Sequence, residues 1–281
     1  YGENGFDAID FTSVVTLLQG NGEPYPNQEQ GGSIPDPEAI RFDPVTEALW
    51  YTSEGSWTLD IDPFLAATDP DGRLIASPAL PAIFDMDPSE ATGPRENLVF
   101  EGLSFASDGV SLWVGMEGPL YQDGELATAD LGPTVRLTNI DRSGNVLAQY
   151  AYPVDAIPVV PAGFGTSGVT DVLAIDEDQF LVIERASSED ADGVFTNYVK
   201  LYEATVNGAT DVKDLASLNG AEFTPVSKQL VLDINAAGVT PVDNIEGITW
   251  GPDLPNGNRS LLLVSDDNFN ETQVTQFIAL E

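Results

Sequence analysis

The chain has 281 residues, 42% of them hydrophobic, which is enough for one large domain with a sizeable core or for two small ones. Its 46 acidic residues against 10 basic residues give a formal net charge of −36, so nucleic acids and anionic membranes would be repelled over most of the surface. Neither cysteine nor histidine is present, which excludes disulfides, thiolate chemistry, Ser-His-Asp triads and the common zinc sites.

The remaining reactive groups are carboxylates, amides, hydroxyls and arginines, which suit hard cations with oxygen ligands. A divalent cation is therefore the expected partner, and the composition also allows a small ester substrate or self-assembly. The first residues lack a signal-peptide pattern, and no apolar run approaches the ~20 residues needed to cross a bilayer. We expect no membrane insertion and a mature, exported product at an extracellular, cell-surface or periplasmic location. The alternative is the acidic cytoplasm of a salt-accumulating organism.

In chain order, short β-rich runs recur between clusters of Gly, Pro, Asn and Asp. They predict strands at residues 11–18, 48–54, 111–116, 135–140, 146–152, 179–184, 198–206, 229–234, 260–264 and 275–280. Residues 63–68 alone are compatible with a short helix. Many short strands with regular turns indicate an all-β sandwich, barrel or propeller.

A repeated hairpin favours the propeller. Residues 38–42 lead through a turn into residues 49–54, as residues 101–105 lead into residues 112–117, and sixteen residues separate the two carboxylates in both copies. Looser copies run from Asp171 and from Glu246. The four leading carboxylates are 63, 70 and 75 residues apart, a spacing typical of propeller blades.

We therefore predict an all-β fold with a single β-propeller domain over residues 1–281. Four blades are visible in the sequence, and there are five or six if degenerate blades lie in residues 60–97 or at the termini. The strand at residues 11–18 is expected to close the last blade beside residues 275–280. The alternative is a β-sandwich whose strand ends are acidic.

In a propeller the inner strands converge on one axis, so the carboxylates that open the hairpins should form a ring. Its members are Glu38, Glu101, Asp171 and Glu246, and a second tier comprises Glu54, Glu117, Glu184, Asp266 and Asp267. Clustered like charges need protons or a cation, and Ca²⁺ accepts about 6–8 oxygen ligands in irregular geometry. The prediction is a calcium site on the axis. The alternative is that these groups pair with Arg41, Arg185 or backbone amides and bind nothing.

Four phrases resemble a known family, the phytase-like domain with "esterase-like activity of phytase". They are residues 97–104, 180–185, 245–252 and 262–269, and the resemblance covers roughly residue 37 to the end. It implies a β-propeller. The Glu-Gly-Leu/Ile hairpins are also similar to those of calcium-dependent lactonase and phosphotriesterase propellers, in which the first glutamate binds metal. This resemblance implies that Glu38, Glu101 and Glu246 are ligands, with Asp171 in the matching place. Those enzymes use asparagines for part of the ring, whereas this chain has carboxylates.

Two functions follow as expectations. The first is a secreted, calcium-dependent hydrolase of phosphoric or related esters, with Glu101, Glu246 and Arg185 as catalytic candidates. Arg185 would either buttress the ring or hold a phosphate through two hydrogen bonds. The second is a non-enzymatic, calcium-stabilised surface, matrix or assembly protein. The scarcity of basic residues argues against a polyanionic substrate such as phytate.

Overall fold

The computed structural model describes residues 9–26 and 35–281 of the chain. Within these ranges the regular structure consists of β-strands and one short 3₁₀ turn at Ala82–Phe84, without any α-helix. No helix in the same ranges has the length and apolarity needed to cross a lipid bilayer.

The strands form four antiparallel sheets, each built from a contiguous stretch of chain. Blade 1 comprises β1 (Pro37–Asp43), β2 (Ala48–Ser53), β3 (Phe64–Thr68) and β4 (Leu74–Ala76). Blade 2 comprises β5 (Phe100–Phe105), β6 (Leu112–Met116), β7 (Thr134–Ile140) and β8 (Val146–Pro153). Blade 3 comprises β9 (Gly165–Ala174), β10 (Gln179–Glu189), β11 (Phe195–Thr205) and β12 (Ser227–Asp233). Blade 4 comprises β13 (Asn244–Trp250), β14 (Leu261–Asp266) and β15 (Phe277–Leu280).

The four sheets are arranged as a four-bladed β-propeller, which confirms the predicted fold class. The first hairpin of each blade is the hairpin that repeats in the sequence. Its leading strand is the innermost one, since β1 packs against β5, β5 against β9, and β9 against β13.

Two predicted elements differ from the structure. Residues 63–68, compatible with a short helix, contain β3, where Leu65, Ala66 and Ala67 are buried at 1%, 0% and 1% exposure. Pairing with β2 on one side and β4 on the other overrides the weak helical preference of this segment. Residues 11–18 do not form the expected strand. Leu18 makes only isolated bridges, to Pro24 and Arg73 beside blade 1, and blade 4 has three strands in the described ranges.

The core is divided between neighbouring blades. One cluster joins blades 1, 2 and 3 through residues such as Trp50, Leu103 and Val182, all at most 5% exposed. A second cluster joins blades 3 and 4 through residues such as Ile183 and Leu263, each 1% exposed. The packing fixes the starts of the inner strands next to one another, which positions the site described next.

Candidate metal centre

Each inner strand is interrupted by a β-bulge, where two residues oppose one on the neighbouring strand. The residues left out of the pairing are Glu38 with Ala39 in blade 1, Glu101 in blade 2, Thr170 in blade 3 and Glu246 in blade 4. Because the bulge occurs at the same place in all four hairpins, these positions are structurally equivalent. Three of them carry the glutamates that the repeat singles out.

The second strand of each hairpin adds one more side chain at the same level. In blade 2, Phe100 pairs with Met116, and the next residue is Glu117. In each blade we take the last residue pair before the bulge and move one residue further along the second strand. The residues at this position are Glu54, Glu117, Arg185 and Asp266. Blade 3 therefore presents a hydroxyl and a guanidinium where the other blades present carboxylates.

The repeat alignment placed Asp171 and Glu184 in these two positions, and the structure shows that this part of the alignment is one residue out of register. Asp171 pairs with Ile183, and Glu184 pairs with Val169. The cause is the bulge at Thr170, because one extra residue exchanges the two faces of a strand. Asp171 and Glu184 therefore lie in surroundings different from those of the ring glutamates.

The structure brings the carboxylates of blades 1 and 2 together. Asp36, Glu38 and Glu54 have ligand oxygens within 4.8 Å of one another, as do Glu54, Glu101 and Glu117. Glu54 belongs to both groups, so the two groups are continuous. We call Asp36, Glu38, Glu54, Glu101, Glu117 and Glu246 the axial cluster.

The axial cluster is buried on one side and open on the other. Glu54, Glu101 and Glu117 are 4%, 6% and 2% exposed, whereas Asp36 is exposed and Glu38 is half-buried. Solvent therefore reaches the cluster from blade 1, and the deepest carboxylates belong to blade 2 and to the end of β2.

Glu101 is the least compensated member of the cluster. It is 94% buried by accessible surface, yet no described residue donates a hydrogen bond to its carboxylate or forms an ion pair with it. Glu54 differs, since its Oε1 accepts a hydrogen bond of 2.6 Å from the Val99 amide. A buried carboxylate without a partner is costly, so the site at Glu101 needs a proton or a cation.

Arg185 supplies positive charge to the opposite side of the cluster. Its Nη2 donates to Glu117 Oε1 at 2.7 Å, and its Nη1 lies 3.2 Å from Glu246 Oε1 and donates to Asn244. These contacts fit the buttress role expected for Arg185 better than a free phosphate-binding role. One guanidinium also leaves most of the negative charge of the cluster uncompensated.

The clustered carboxylates hold protons more tightly than usual. Burial, followed by repulsion from Glu54, Asp36 and other acids, raises the pKa of Glu38 to about 9. Burial raises the pKa of Glu54 to about 8, although the Val99 amide opposes this, and burial raises the pKa of Glu246 to about 7 against the attraction of Arg185. Burial raises the pKa of Glu101 well above its ordinary value, with Glu117 as the strongest neighbouring charge.

This donor set fits a hard divalent cation. All ligand groups are carboxylate oxygens, three of the side chains are nearly buried, and Glu101 has no other described partner. A cation would replace the protons that these raised pKa values describe, because metal ligands must be deprotonated. The six carboxylates match the oxygen preference of calcium rather than the nitrogen and sulfur preference of zinc.

Asp171 is satisfied by the protein itself. Its oxygens accept hydrogen bonds from Arg41 Nη2 at 2.7 and 2.6 Å, and from the amides of Leu103, Val172 and Ile248 at 3.3, 2.8 and 2.8 Å. Arg41 belongs to blade 1, Leu103 to blade 2 and Ile248 to blade 4, so this group ties all four blades together. We call it the Asp171 hub. Its geometry is that of a structural ion pair rather than of a vacant ligand.

Glu184 lies in another polar group, between blades 2 and 3. It accepts hydrogen bonds from the Tyr152 hydroxyl at 2.8 Å, from the Asp155 amide at 2.9 Å and from Lys228. Lys228 and Lys200 also bind Asp155, at 2.8 and 2.9 Å. The two lysines balance the two carboxylates, so this group needs no additional cation.

Asp266 is the last residue of β14, and Asp267 follows it in the next loop. Asp266 is exposed and pairs with Asn244, two residues before Glu246, which places it beside the open side of the axial cluster. Burial, followed by the charge of Asp266, raises the pKa of Asp36. Asp267 accepts hydrogen bonds from the Phe269 amide at 3.0 Å and the Thr275 hydroxyl at 2.9 Å, and so organises the loop that follows.

Three residues at the site were not singled out from the sequence. Asp36 precedes the repeated unit, Asn244 precedes the last leading glutamate, and Thr170 offers no charge to attract notice. The Thr170 hydroxyl donates to the Ile245 carbonyl at 3.0 Å. The sequence does contain a signal for Thr170. If the repeats are aligned so that Val172 matches Leu103 and Ile248, the apolar pattern is kept and Thr170 occupies the same repeat position as Glu101 and Glu246.

A comparison with protein families matches residues 1–269 to the family described as phytase-like, esterase-like activity of phytase. No curated protein and no solved structure matches the chain. The family match extends over nearly the whole chain and includes all four hairpins that build the axial cluster. The chain therefore belongs to the phytase-like family.

Proposed function

We propose that the axial cluster binds calcium and that the protein is a calcium-dependent hydrolase of phosphoric or related esters. The observation that carries the proposal is the carboxylate of Glu101, which is nearly buried, has no described partner and lies within 4.8 Å of oxygens of Glu54 and Glu117. A hydrolase role is supported by the family to which the chain belongs.

Calcium is favoured over magnesium by the shape of the donor set. Magnesium demands near-octahedral geometry and keeps several waters, whereas calcium accepts irregular sets of oxygens from flexible carboxylates. The carboxylates of the axial cluster come from different segments and different depths, because Glu54, Glu101 and Glu117 are nearly buried whereas Asp36 is exposed and Glu38 is half-buried, which gives an irregular set.

When bound, such a cation would polarise the phosphoryl or carbonyl oxygen of an ester. The protein residues have their own tasks. Glu54, Glu101 and Glu117, whose ligand oxygens lie within 4.8 Å of one another, would hold the ion. Glu246, with a pKa of about 7 and partial exposure, is suited to accept a proton from an attacking water. Arg185 keeps Glu246 and Glu117 in place through its two contacts and is a positioning residue.

The experiment is an assay of a chromogenic phosphomonoester and a phosphodiester in calcium and in chelator. We expect turnover that depends on calcium. Glu101→Gln and Glu246→Gln should reduce it, and the exposed-turn variant Glu47→Gln should retain it. Turnover unaffected by verified metal removal would overturn the metal-dependent mechanism.

A second function is favoured by the burial of the cluster. Glu54, Glu101 and Glu117 are each at most 6% exposed, and an ion held mainly by them would be sheltered from substrates. In that case the protein is a non-enzymatic, calcium-stabilised surface, matrix or assembly module. Calcium that raises the melting temperature while no ester is turned over would identify this function.

Both functions fit a location outside the cytoplasm. Extracellular modules typically bind calcium with dissociation constants of about 10⁻⁴–10⁻³ M, which requires surroundings rich in the ion. An acidic surface with a net charge of −36 is compatible with such surroundings, because divalent cations and salt screen its self-repulsion.

A further inference from the structure

The four seams between blades are not alike. Buried apolar clusters join blade 1 to blade 2, blade 2 to blade 3 and blade 3 to blade 4. In the described residues, no such cluster joins blade 4 to blade 1. These two blades meet near the axis through Arg41, whose Nη2 donates to the Ile248 carbonyl at 3.1 Å.

The two faces that look into this seam are apolar and partly uncovered. On β1, Ile40 and Phe42 are each 56% exposed, although β1 is the innermost strand of its blade. Farther from the axis the same face is closed, since Tyr51 and Ala66 are 2% and 0% exposed. The open part of this wall is therefore confined to the inner strand.

Blade 4 supplies the opposite wall. One face of its sheet, with Ile248 and Leu263, is buried against blade 3. The other face carries Leu262, Val264 and Phe277, of which the first two are half-buried and Phe277 is 39% exposed. The two faces that border the seam between blades 4 and 1 are thus apolar in these positions, and we call this seam the groove.

The groove leads to the open side of the axial cluster. The cluster members nearest solvent, Asp36, Glu38 and Glu246, belong to blade 1 and blade 4, the same two blades that border the groove. The deeply buried Glu101 and Glu117 belong to blade 2, away from it. A molecule lying in the groove with one end at the cluster would place an apolar chain against Ile40 and Phe42 and a polar head at the carboxylates.

We propose that the groove between blades 4 and 1 binds the uncharged alkyl or acyl chain of the ester substrate. This inference rests on the proposed hydrolase function and names the substrate class for it: esters with an apolar chain of several carbons. A second negatively charged group on the substrate is disfavoured, because the rim carries Asp36, Glu38, Glu246 and Asp266, and among the described residues Arg185 alone forms an ion pair with one of them.

The test is a chain-length series with matched variants. 4-Nitrophenyl alkyl phosphates from methyl to octyl are hydrolysed in calcium by the wild type, Phe42→Ser and Phe195→Ser. Phe195 is a matched control because it is 55% exposed, against 56% for Phe42, and lies on blade 3. Each methylene that the groove covers should raise kcat/KM about two- to fourfold, since its full burial corresponds to about fourfold.

The expected result is that kcat/KM rises with chain length in the wild type and in Phe195→Ser, and that Phe42→Ser loses most of the rise while keeping its rate on the methyl compound. A flat series in the wild type overturns the groove while leaving the hydrolase intact. An equal loss in both variants also overturns it, because general apolar stickiness then explains the rise.

A second measurement separates the groove from the hydrolase. The fluorescence of the neutral probe N-phenyl-1-naphthylamine is followed while each of the same three proteins is added. The mass of each protein in solution is measured as well. If no ester is turned over, the groove is still supported when the probe binds saturably to the wild type and to Phe195→Ser but not to Phe42→Ser. If the wild type does not bind the probe, the groove is overturned. A wild-type dimer that Phe42→Ser converts to a monomer, with no probe bound, shows instead that a second copy covers the groove and overturns the proposal.

Discussion

The Asp171 hub and the axial cluster are neighbours at the propeller axis, and both consist of buried carboxylates. Asp171 is 1% exposed and Glu101 is 6% exposed. Burial raises the pKa of both groups, but Arg41 and backbone amides counteract this at Asp171, whereas Glu117, Glu38 and Glu54 add to it at Glu101. The difference teaches that burial alone does not identify a metal ligand. The deciding feature is whether the protein supplies the counter-charge itself.

Breaking the hub should have the largest effect on stability. Asp171→Asn removes the charge that Arg41 faces, and the Arg41 side chain is only 15% exposed. Leaving a buried charge without its partner costs about 3–5 kcal/mol. We therefore expect the free energy of unfolding, measured in urea or by thermal melting, to fall by an amount near the lower end of this range. Calcium affinity should be retained.

The control is Asp71→Asn, whose partner Arg73 is 58% exposed, and it should leave the free energy of unfolding nearly unchanged, because exposed ion pairs contribute little to stability. If Asp171→Asn instead abolishes calcium binding and leaves the stability of the metal-free protein unchanged, Asp171 is a ligand after all.

Removal of the metal should have the next largest effect, and it acts on the cluster rather than on the hub. A ligand that binds only the folded state at about 100 times its dissociation constant adds about 2.7 kcal/mol. Chelation should therefore lower the melting temperature by about 5 °C, measured after verified metal removal. Identical melting curves in calcium and in chelator would show that the cluster is neutralised by protons alone.

Single substitutions in the cluster should weaken calcium binding without the cost seen at the hub. Glu101→Gln and Glu246→Gln keep the side-chain shape but lose the charge, and each should cost about 1–3 kcal/mol, or about 5- to 150-fold in the dissociation constant. Isothermal titration measures this directly. Glu47→Gln, in the exposed turn between β1 and β2, should bind like the wild type. Equal affinities in all three variants would assign binding to the acidic surface as a whole.

Over a single pH unit, a pH series should show the smallest effect on stability, with a definite sign. The pKa of Glu38 is raised to about 9 and that of Glu54 to about 8, so between about pH 4.5 and 9 the folded, metal-free protein holds more protons than the unfolded chain. Its stability therefore falls as pH rises through this window, by less than about 1.4 kcal/mol per pH unit for each retained proton. Calcium should flatten the profile, because the ion replaces the protons. A metal-free profile that rises between pH 5 and 8 contradicts these pKa directions.

Much of this arrangement was predictable from the sequence. The alternation of apolar residues after Glu101 and Glu246, and the equal spacing of Glu38–Glu54 and Glu101–Glu117, identify hairpins whose ends meet. Hairpin ends that repeat four times in one chain predict a ring, and in three of the blades the structure has a glutamate at the equivalent bulge position.

The rest depends on features that a sequence does not display. The bulge at Thr170 shifts blade 3 by one residue, and pairing geometry rather than residue type sets its place. The distant partners of Asp171 are not visible in the sequence, because Arg41 and the amides of Leu103 and Ile248 belong to segments far apart in the chain. In the same way, the partners of Glu184 are known only once blades 2 and 3 are placed side by side.

The Asp171 hub also bears on how the chain folds. Apart from the bond donated by the adjacent Val172 amide, its hydrogen bonds join residues 68, 77 and 130 positions apart, so these three cannot form within a single hairpin. Contacts of such large sequence separation are made only after the entropy of closing long loops has been overcome, and they slow folding. The hub therefore closes late, after the individual blades have formed. Until then Asp171 and Arg41 remain hydrated, because their partners lie on different blades.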